Sequence, residues 1–270
     1  MKMKRIVLIS CVSKKGNKKT KAKDLYEGQL FKNSLGGNMP QPIFSFKNVN
    51  HEVKGQKILI IKKFEMHRGA TYVVDGSMGS GKTSLIDILA RNIKITSGDC
   101  EYEQKKLSTY SSRMYNDQVA VVSQDFKAPF GTVGKFLKKT LKQYSHISDV
   151  NRKIDDIGRK MKIENLLDRK MRDLSPGQLR WVVLATNIAA DTKVLLIDEI
   201  EQHLSRNNLN QLVKLLYRKS NYDGVTIVVT TQNKDLFSQR LASVTVTLES
   251  GRITSVRSAN KKRKNYSRKK

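Results

Sequence analysis

The chain has 270 residues, of which 38% are hydrophobic and 28% charged, a size that fits one large α/β domain with a small appended segment. Its formal net charge is +28, of which residues 1–35 and residues 256–270 contribute +8 each, so anionic partners such as nucleic acid or a membrane surface are favoured. The two cysteines, Cys11 and Cys100, exclude a disulfide framework, and the apolar runs fall short of the roughly 20 residues of a membrane span.

The N-terminal segment is predicted to be separate from the main domain. Its pattern indicates a strand over residues 6–12, a short helix over residues 23–31 and a linker over residues 36–42. The residues Cys11, Lys14, Lys15, 22–26 and Phe31 are similar to the opening of an uncharacterised bacterial family related to the peroxide-stress YaaA proteins. One strand and one helix cannot bury a core, so we interpret residues 1–35 as a basic fusion remnant without assignable chemistry.

The main domain is predicted over residues 43–256, with a basic tail at 257–270. Predicted strands cover residues 43–49, 57–61, 71–75, 118–123, 193–199, 225–230, 242–248 and 252–256, with a turn at 97–99 and helices at 84–91, 174–188 and 206–219. Helical periodicity over residues 131–170 predicts a small helical subdomain. No internal repeat is found, which indicates a single cassette.

A glycine-rich loop lies between a buried strand and an amphipathic helix. Residues 76–83 read Gly-Ser-Met-Gly-Ser-Gly-Lys-Thr, the pattern and context of a phosphate-binding P-loop. The glycines let backbone N–H groups turn inward, where they form an anion site with the positive end of the helix. Lys82 is predicted to reach the β- and γ-phosphates, and the Thr83 hydroxyl to bind Mg²⁺. The predicted nucleotide-binding residues are Gly76, Ser77, Met78, Gly79, Ser80, Gly81, Lys82, Thr83 and Ser84.

Three further features follow along the chain. Asp198 and Glu199 end an apolar strand, where Asp198 is suited to anchor Mg²⁺ and Glu199 to orient or deprotonate the attacking water. Gln124 ends another strand, from which its side chain would reach both the metal and that water. Residues 174–178, Leu-Ser-Pro-Gly-Gln, open a predicted helix about twenty residues before the acidic pair.

Together these features resemble the ATP-binding cassette (ABC) ATPase family over roughly residues 43–256. The resemblance implies an α/β P-loop NTPase cassette with a RecA-like mixed sheet core, an antiparallel β subdomain and a small helical signature subdomain. It also implies ATP and Mg²⁺ as cofactors, with Thr83, Gln124 and Asp198 around the metal. Two cassettes would pair head to tail, with Ser175, Gly177 and Gln178 reaching the ATP of the other subunit.

The sequence departs from the family pattern at three places. Pro176 replaces a signature glycine and removes one N–H donor. Gln232 occupies the place of the usual switch histidine; it completes a catalytic set with Glu199 and Gln124 but cannot carry a proton charge, which leaves slow hydrolysis open. The aromatic residue that usually stacks on adenine would fall near Val53, where His51 is the available substitute.

Three functions are compatible with this cassette. A transporter subunit is favoured by the short helical subdomain and by apolar Phe126, Pro129 and Phe130, which would dock on a membrane permease. A soluble ATPase acting on nucleic acid or the ribosome is favoured by the charge and by residues 198–201, Asp-Glu-Ile-Glu, which resemble DNA-repair and SMC-like cassettes. A nucleotide-gated regulatory module is the third, if Gln232 has stopped turnover.

The transporter interpretation sets the expected partners and location. A second ABC subunit, identical or different, and an integral membrane permease are expected, with anionic lipid or nucleic acid at the basic tails. Such a protein would be cytoplasmic and peripheral at the inner face of the cell membrane.

Overall fold

A computed structural model describes residues 41–233, 237 and 240–258. The strands are β1 (Pro42–Val53), β2 (Gln56–His67), β3 (Thr71–Asp75), β4 (Ser97–Tyr102), β5 (Lys105–Lys106), β6 (Val119–Val122), β7 (Val194–Ile197), β8 (Thr226–Thr231), β9 (Val244–Glu249) and β10 (Arg252–Ser258). The α-helices are α1 (Lys82–Leu89), α2 (Ser112–Asn116), α3 (Val133–Leu141), α4 (Val150–Met161), α5 (Pro176–Ala189) and α6 (Arg206–Asp223).

The strands of this part of the chain form one mixed sheet in the order β5-β4-β1-β2-β10-β9-β3-β8-β7-β6. The segment β9-β3-β8-β7-β6 is parallel throughout. The opposite end, from β2 through β1 and β4 to β5, is antiparallel. The sheet therefore combines the predicted parallel core with the predicted antiparallel portion.

The parallel strands are apolar on both faces because both faces are covered. On β3, Val73 packs into a core that includes residues of α3, α4, α5 and α6, whereas Tyr72 and Val74 pack into a second core with α1, β1 and β2. On β7, Leu195 and Leu196 divide between the two cores in the same way. Alternate side chains thus fix the helices above and below the sheet.

The helical portion packs around the single tryptophan of the chain. Trp181 on α5 is buried with Leu137 of α3 and Ile157 of α4, and its Nε1–H donates to the carbonyl of Met161 at 2.8 Å. Helices begin at capping side chains: Thr132 accepts from the amide of Lys135 before α3, and Asp149 caps α4 in the same way.

Two predicted elements are corrected. Residues 97–99, predicted as a turn, form the start of β4, which pairs with β1; Gly98 has φ +88° and a Cβ there would lie 2.1 Å from the carbonyl oxygen of Asn48. The helix predicted to end at residue 219 continues to Asp223 and stops at Gly224, whose positive φ ends α6.

Several predictions fall outside the described residues. These are the fusion remnant at residues 1–35, most of the linker at 36–42 and all but the first two residues of the basic tail at 257–270. Within the described ranges, none of the helices combines the length and the apolar composition needed to cross a membrane.

Candidate nucleotide site

The candidate functional residues follow four neighbouring parallel strands. The P-loop follows β3, Gln124 follows β6, Asp198 and Glu199 follow β7, and Gln232 follows β8. These strands lie side by side in the sheet, so their carboxyl ends share one edge. Residues separated by more than 100 positions in sequence are thereby placed at one site.

The P-loop wraps around the ammonium group of Lys82. Its Nζ donates to the carbonyl oxygens of Gly76 at 2.7 Å and of Ser77 at 2.8 Å. Gly81 has φ +96° and comes directly before α1, while a Cβ on Gly76 would lie only 2.3 Å from the carbonyl oxygen of Leu248. The loop therefore requires glycine at both positions.

The charge balance of the loop fits a bound anion. Lys82 is 6% exposed, and among the described residues it makes no ion pair with a carboxylate. Ser80 Oγ is buried and has no hydrogen-bond partner among the residues that the structure describes. The first turn of α1 carries no acidic side chain. A buried cation next to an open helix N-terminus is stabilised by a phosphate group, so the residues present fit a nucleoside triphosphate.

The carboxylate of Glu199 lies between two amide side chains. Gln124 Nε2 donates to Glu199 Oε2 at 3.1 Å, and Gln232 Nε2 donates to Glu199 Oε1 at 2.7 Å. Asp198 is buried and accepts at Oδ1 from the hydroxyl of Thr230. The structure thus brings together four of the predicted site residues at the ends of β6, β7 and β8.

The backbone of Glu199 is also fixed. Its φ of +45° is in the left-handed region, which is unusual for a glutamate. Its N–H donates to Thr230 Oγ1 at 2.7 Å, and its carbonyl oxygen accepts from Arg180 Nη2 at 3.1 Å. These bonds hold the peptide in a conformation that aims the carboxylate at Gln124 and Gln232.

Arg180 is a functional-site residue that the sequence interpretation missed. It lies on α5, is 4% exposed and reaches the ends of two strands. Its Nη1 donates to the carbonyl of Ser123, and its Nη2 donates to those of Asp198 and Glu199. Burial lowers the pKa of the guanidinium, while the nearby carboxylates of Asp198 and Glu199 oppose that shift. An arginine two residues after the predicted signature is the only sequence signal, and it does not specify these contacts.

The predicted signature residues form the first turn of α5. Ser175 caps the helix by accepting from the amide of Gln178 at 3.3 Å, and Gln178 Oε1 accepts from the amide of Ser175 at 3.1 Å. Pro176 takes the first helical position, where a missing N–H is tolerated. A Cβ on Gly177 would lie 2.8 Å from the carbonyl oxygen of His203. Within the described residues, the side-chain hydrogen bonds of Ser175 and Gln178 stay inside this turn and do not join the P-loop.

The residues predicted to bind Mg²⁺ offer oxygen atoms. Thr83 is exposed on the first turn of α1, and Gln124, which uses its Nε2 for Glu199, keeps its Oε1 for a metal. Asp198 supplies a carboxylate. The part of the chain that the structure describes holds no cluster of three His, Cys, Asp or Glu side chains for a metal. This donor set fits Mg²⁺, which takes few protein oxygens and fills its other positions with phosphate and water.

The predicted adenine-stacking role of His51 is wrong. Its ring lies on β1 at 9% exposure, with Nδ1 at 3.0 Å from the carbonyl oxygen of Lys94. A ring fixed in this way has no free face for a base. Val53, at 47% exposure, is an accessible apolar side chain at the same end of β1.

This site, at the carboxyl edge of a parallel sheet with a P-loop and a paired Asp-Glu, defines a P-loop nucleoside triphosphatase. A family model described as "ABC transporter" matches residues 61–202, just over half of the chain. The chain belongs to the ABC transporter family, as the motifs predicted, and its fold class is confirmed.

Individual relatives are distant in sequence. An ABC transporter ATP-binding protein of Clostridium tetani is 27% identical over 219 residues, covering 76% of this chain and 49% of the relative, so the chain spans about half of that protein. The methionine import ATP-binding protein MetN of Chlamydia abortus is 27% identical over 236 residues, covering 80% of this chain and 65% of MetN. A solved dimeric ATP-binding cassette in a post-hydrolysis state with ADP and Pi has a TM-score of 0.71 at 20% identity, covering 80% of this chain and 98% of that structure.

Proposed function

We propose that the protein is the ATP-binding and ATP-hydrolysing subunit of a membrane transporter, working as a head-to-tail dimer of cassettes. The observation that carries this proposal is the clamped Glu199 carboxylate next to a P-loop whose Lys82 lacks a carboxylate partner among the described residues. The second subunit, identical or related, would contribute Ser175 and Gly177 to the γ-phosphate. The dimeric cassette structure and the MetN relative support this assignment.

The chemistry assigned to this chain's residues is positioning and proton transfer. Lys82 would hold the β- and γ-phosphates, and Mg²⁺, when bound at Thr83, Gln124 and Asp198, would neutralise phosphate charge. Glu199 would orient the attacking water and accept its proton. Gln232 can hold Glu199 and the γ-phosphate by hydrogen bonds but cannot supply a positive charge, so we expect slow turnover.

A surface for the permease lies on the segment after Gln124. Phe130 is fully exposed, and Pro129 beside it is half-buried. Phe126, expected to be exposed, is half-buried instead, with its ring 5.6 Å from that of Phe136. Phe130 is therefore the apolar side chain of this segment that is available to a partner.

A basic stripe begins five residues after Phe130 in the chain. It consists of Lys135, Lys138, Lys139 and Lys142, which are exposed on one face of α3 at helical spacing. The helix carries no acidic residue, and these lysines make no ion pair with the described residues. Such a stripe is suited to anionic headgroups beside a permease, which supports a location at the inner, cytoplasmic face of the cell membrane.

The same stripe supports a second candidate, a soluble ABC ATPase acting on nucleic acid or the ribosome. Four lysines on one helix would contact a phosphate backbone, and the basic residues 259–270 would add to it. A nucleotide-gated regulatory module is the third candidate if Gln232 prevents turnover.

Turnover is tested with purified protein and Mg-ATP. We expect the wild type to release phosphate and Glu199→Gln to lower kcat at least about 100-fold while still binding ATP. Equal rates for the two proteins would contradict the assignment of Glu199.

The partner is tested with the Glu199→Gln protein, which holds ATP, as bait in a detergent-solubilised native membrane lysate. We expect an integral membrane protein to be captured, and Phe130→Ala in the same background to lose it. Tyr222→Ala, which removes another exposed aromatic side chain from α6, is the matched control and should retain it. Recovery of only nucleic acid or ribosomes, lost at high salt and on deletion of residues 259–270, would replace the transporter by the second candidate.

A further inference from the structure

Glu201 joins the ends of β7 and β8. Its Oε1 accepts the hydroxyl proton of Thr231 at 2.8 Å and the backbone N–H of Gln232 at 2.9 Å. Thr231 is the last residue of β8, and the hydroxyl of Thr231 also accepts from the amide of Asn233 at 2.9 Å. One carboxylate oxygen therefore fixes the start of the loop that carries Gln232.

Gln232 continues this chain of contacts to the carboxylate proposed for catalysis. Its backbone N–H is held by Glu201, and its side-chain Nε2 donates to Glu199 Oε1 at 2.7 Å. Gln124 holds the other oxygen of Glu199 from β6. The orientation of Glu199 thus depends on Gln232, and the placement of Gln232 depends on Glu201.

The carboxylate of Glu201 lowers the stability of the fold through one of its two oxygens. Its Oε2 is buried and has no hydrogen-bond partner among the described residues. A buried carboxylate oxygen without a donor destabilises the fold, whereas a bond from a neutral donor to a charged acceptor is stronger than one between neutral groups. The strong bond matters here because a glutamine side chain has three rotatable bonds, so its amide is aimed at Glu199 only when its backbone is fixed.

We propose that Glu201 is a positioning residue for ATP hydrolysis that acts through Gln232 on Glu199. This inference rests on the proposed function and adds to it a residue outside the P-loop, signature and metal set. Glu201 touches neither nucleotide nor water in this role; it sets the direction of the Gln232 amide. Its loss lowers kcat with little change in KM for ATP, because the P-loop is untouched.

A double-mutant cycle on the full chain tests the route. We expect Glu201→Ala to lower kcat about tenfold, with KM for ATP within about twofold of the wild type. In a Gln232→Ala background, which keeps the backbone N–H but removes the amide, adding Glu201→Ala should change kcat no further. Glu201→Gln is the conservative control: its Oε1 can accept both bonds but lacks the charge that strengthens them, so kcat should fall by up to about threefold, less than in Glu201→Ala.

The outcomes separate the inference from the proposed function. The route through Gln232 is refuted, while the ATPase assignment stands, if Glu201→Ala lowers kcat by the same factor in the wild-type and Gln232→Ala backgrounds. The same holds if the wild type hydrolyses ATP and Glu201→Ala alone does not change its kcat. If the wild type releases phosphate no faster than Glu199→Gln, both the ATPase assignment and this inference fail. Urea unfolding of each variant checks that a loss of kcat does not follow a loss of folded protein.

Discussion

Replacing Arg180 by methionine should both destabilise the protein and slow ATP hydrolysis. The substitution keeps the apolar stem but removes the guanidinium that donates to the carbonyls of Ser123, Asp198 and Glu199. The Asp198 carbonyl is buried, so leaving it without a donor costs about 1–3 kcal/mol, while the partly buried carbonyls of Ser123 and Glu199 each cost less. Removing a buried charge offsets part of this cost. We therefore expect a net loss of about 2–4 kcal/mol in the free energy of unfolding.

The chain supplies its own reporter for this measurement. Trp181, the single tryptophan, is buried next to Arg180 on α5, so its fluorescence follows unfolding of the same helix. With a urea dependence of about 3 kcal/mol per molar, a loss of 3 kcal/mol moves the unfolding midpoint by about 1 M. Arg159→Met is the matched control, because Arg159 is exposed and pairs only with Asp156 among the described residues; we expect a change within about 0.5 kcal/mol.

Hydrolysis distinguishes a structural from a positioning role. Arg180 fixes the carbonyl groups of Glu199 and of Ser123, the residue before Gln124, so kcat should be lower in folded Arg180→Met protein, measured without urea. Arg180→Lys keeps the charge but has fewer donors in fixed directions, so its kcat should lie between those of the wild type and Arg180→Met. If Arg180→Met matches Arg159→Met in both midpoint and kcat, the reasoning about buried carbonyls is wrong.

Three further predictions use other features of the structure. Gly177→Ala should lower the free energy of unfolding by about 1–2 kcal/mol and reduce ATPase activity, because the new Cβ would clash with the His203 carbonyl oxygen. In Gly158→Ala, the matched control, the new Cβ would meet the flexible Glu164 side chain, so stability should be unchanged or increased. Urea unfolding and phosphate release compare the two variants. Burial raises the pKa of the Cys100 thiol to about 12, so little reactive thiolate is present at pH 8. In a Cys11→Ser protein we therefore expect no alkylation of Cys100 at pH 8 until denaturant is added. Rapid alkylation of the native protein would contradict this prediction. Burial raises the pKa of Asp191, but hydrogen bonds from Lys153 and Lys219 lower it by more, so the net pKa is below its ordinary 3.8 and the charged carboxylate stabilises the fold above about pH 4, a contribution that is lost as the pH falls. Asp191→Asn should therefore lower the free energy of unfolding by about 1 kcal/mol at pH 7 and weaken its dependence on pH on the acid side. An unchanged curve of stability against pH would refute this prediction.

The sequence predicted those parts of the site that depend on local pattern. The P-loop needs only a strand, glycines and a helix in order, and Asp198 and Glu199 need only the end of an apolar strand. Because parallel strands align their carboxyl ends, the position of Gln124 at the end of a predicted strand placed it at this edge. Gln232 was identified by its position in the family pattern. The roles of these residues in catalysis stay predictions.

The contacts of Arg180 and Glu201 could not be predicted in this way. Both side chains act across segments that are distant in sequence or on different elements. The partners of Arg180 are backbone carbonyls, and Glu201 accepts from one backbone N–H and one threonine hydroxyl, so neither set of contacts leaves a recognisable mark in the sequence. The turn predicted at residues 97–99 failed for a related reason: Gly98 and its positive φ suggest a turn, but pairing with β1 places it in a strand beside Asn48. His51 was misassigned because periodicity does not show that its ring is buried under the Lys94 carbonyl.

The position of Arg180 offers a physical link between the two nucleotide sites of the proposed dimer. Ser175 and Arg180 are five residues apart on a rigid helix, roughly 7–8 Å along its axis, so α5 moves them together. Ser175 would face the ATP of the partner subunit, while Arg180 is bonded to the carbonyl of Glu199, which would act on this subunit's own ATP. A shift of α5 on engagement of the partner's γ-phosphate would therefore be transmitted to the backbone of Glu199. That backbone has φ +45°; its carbonyl oxygen accepts from Arg180 and its N–H donates to the Thr230 hydroxyl, so a change in either bond would alter the direction of the carboxylate.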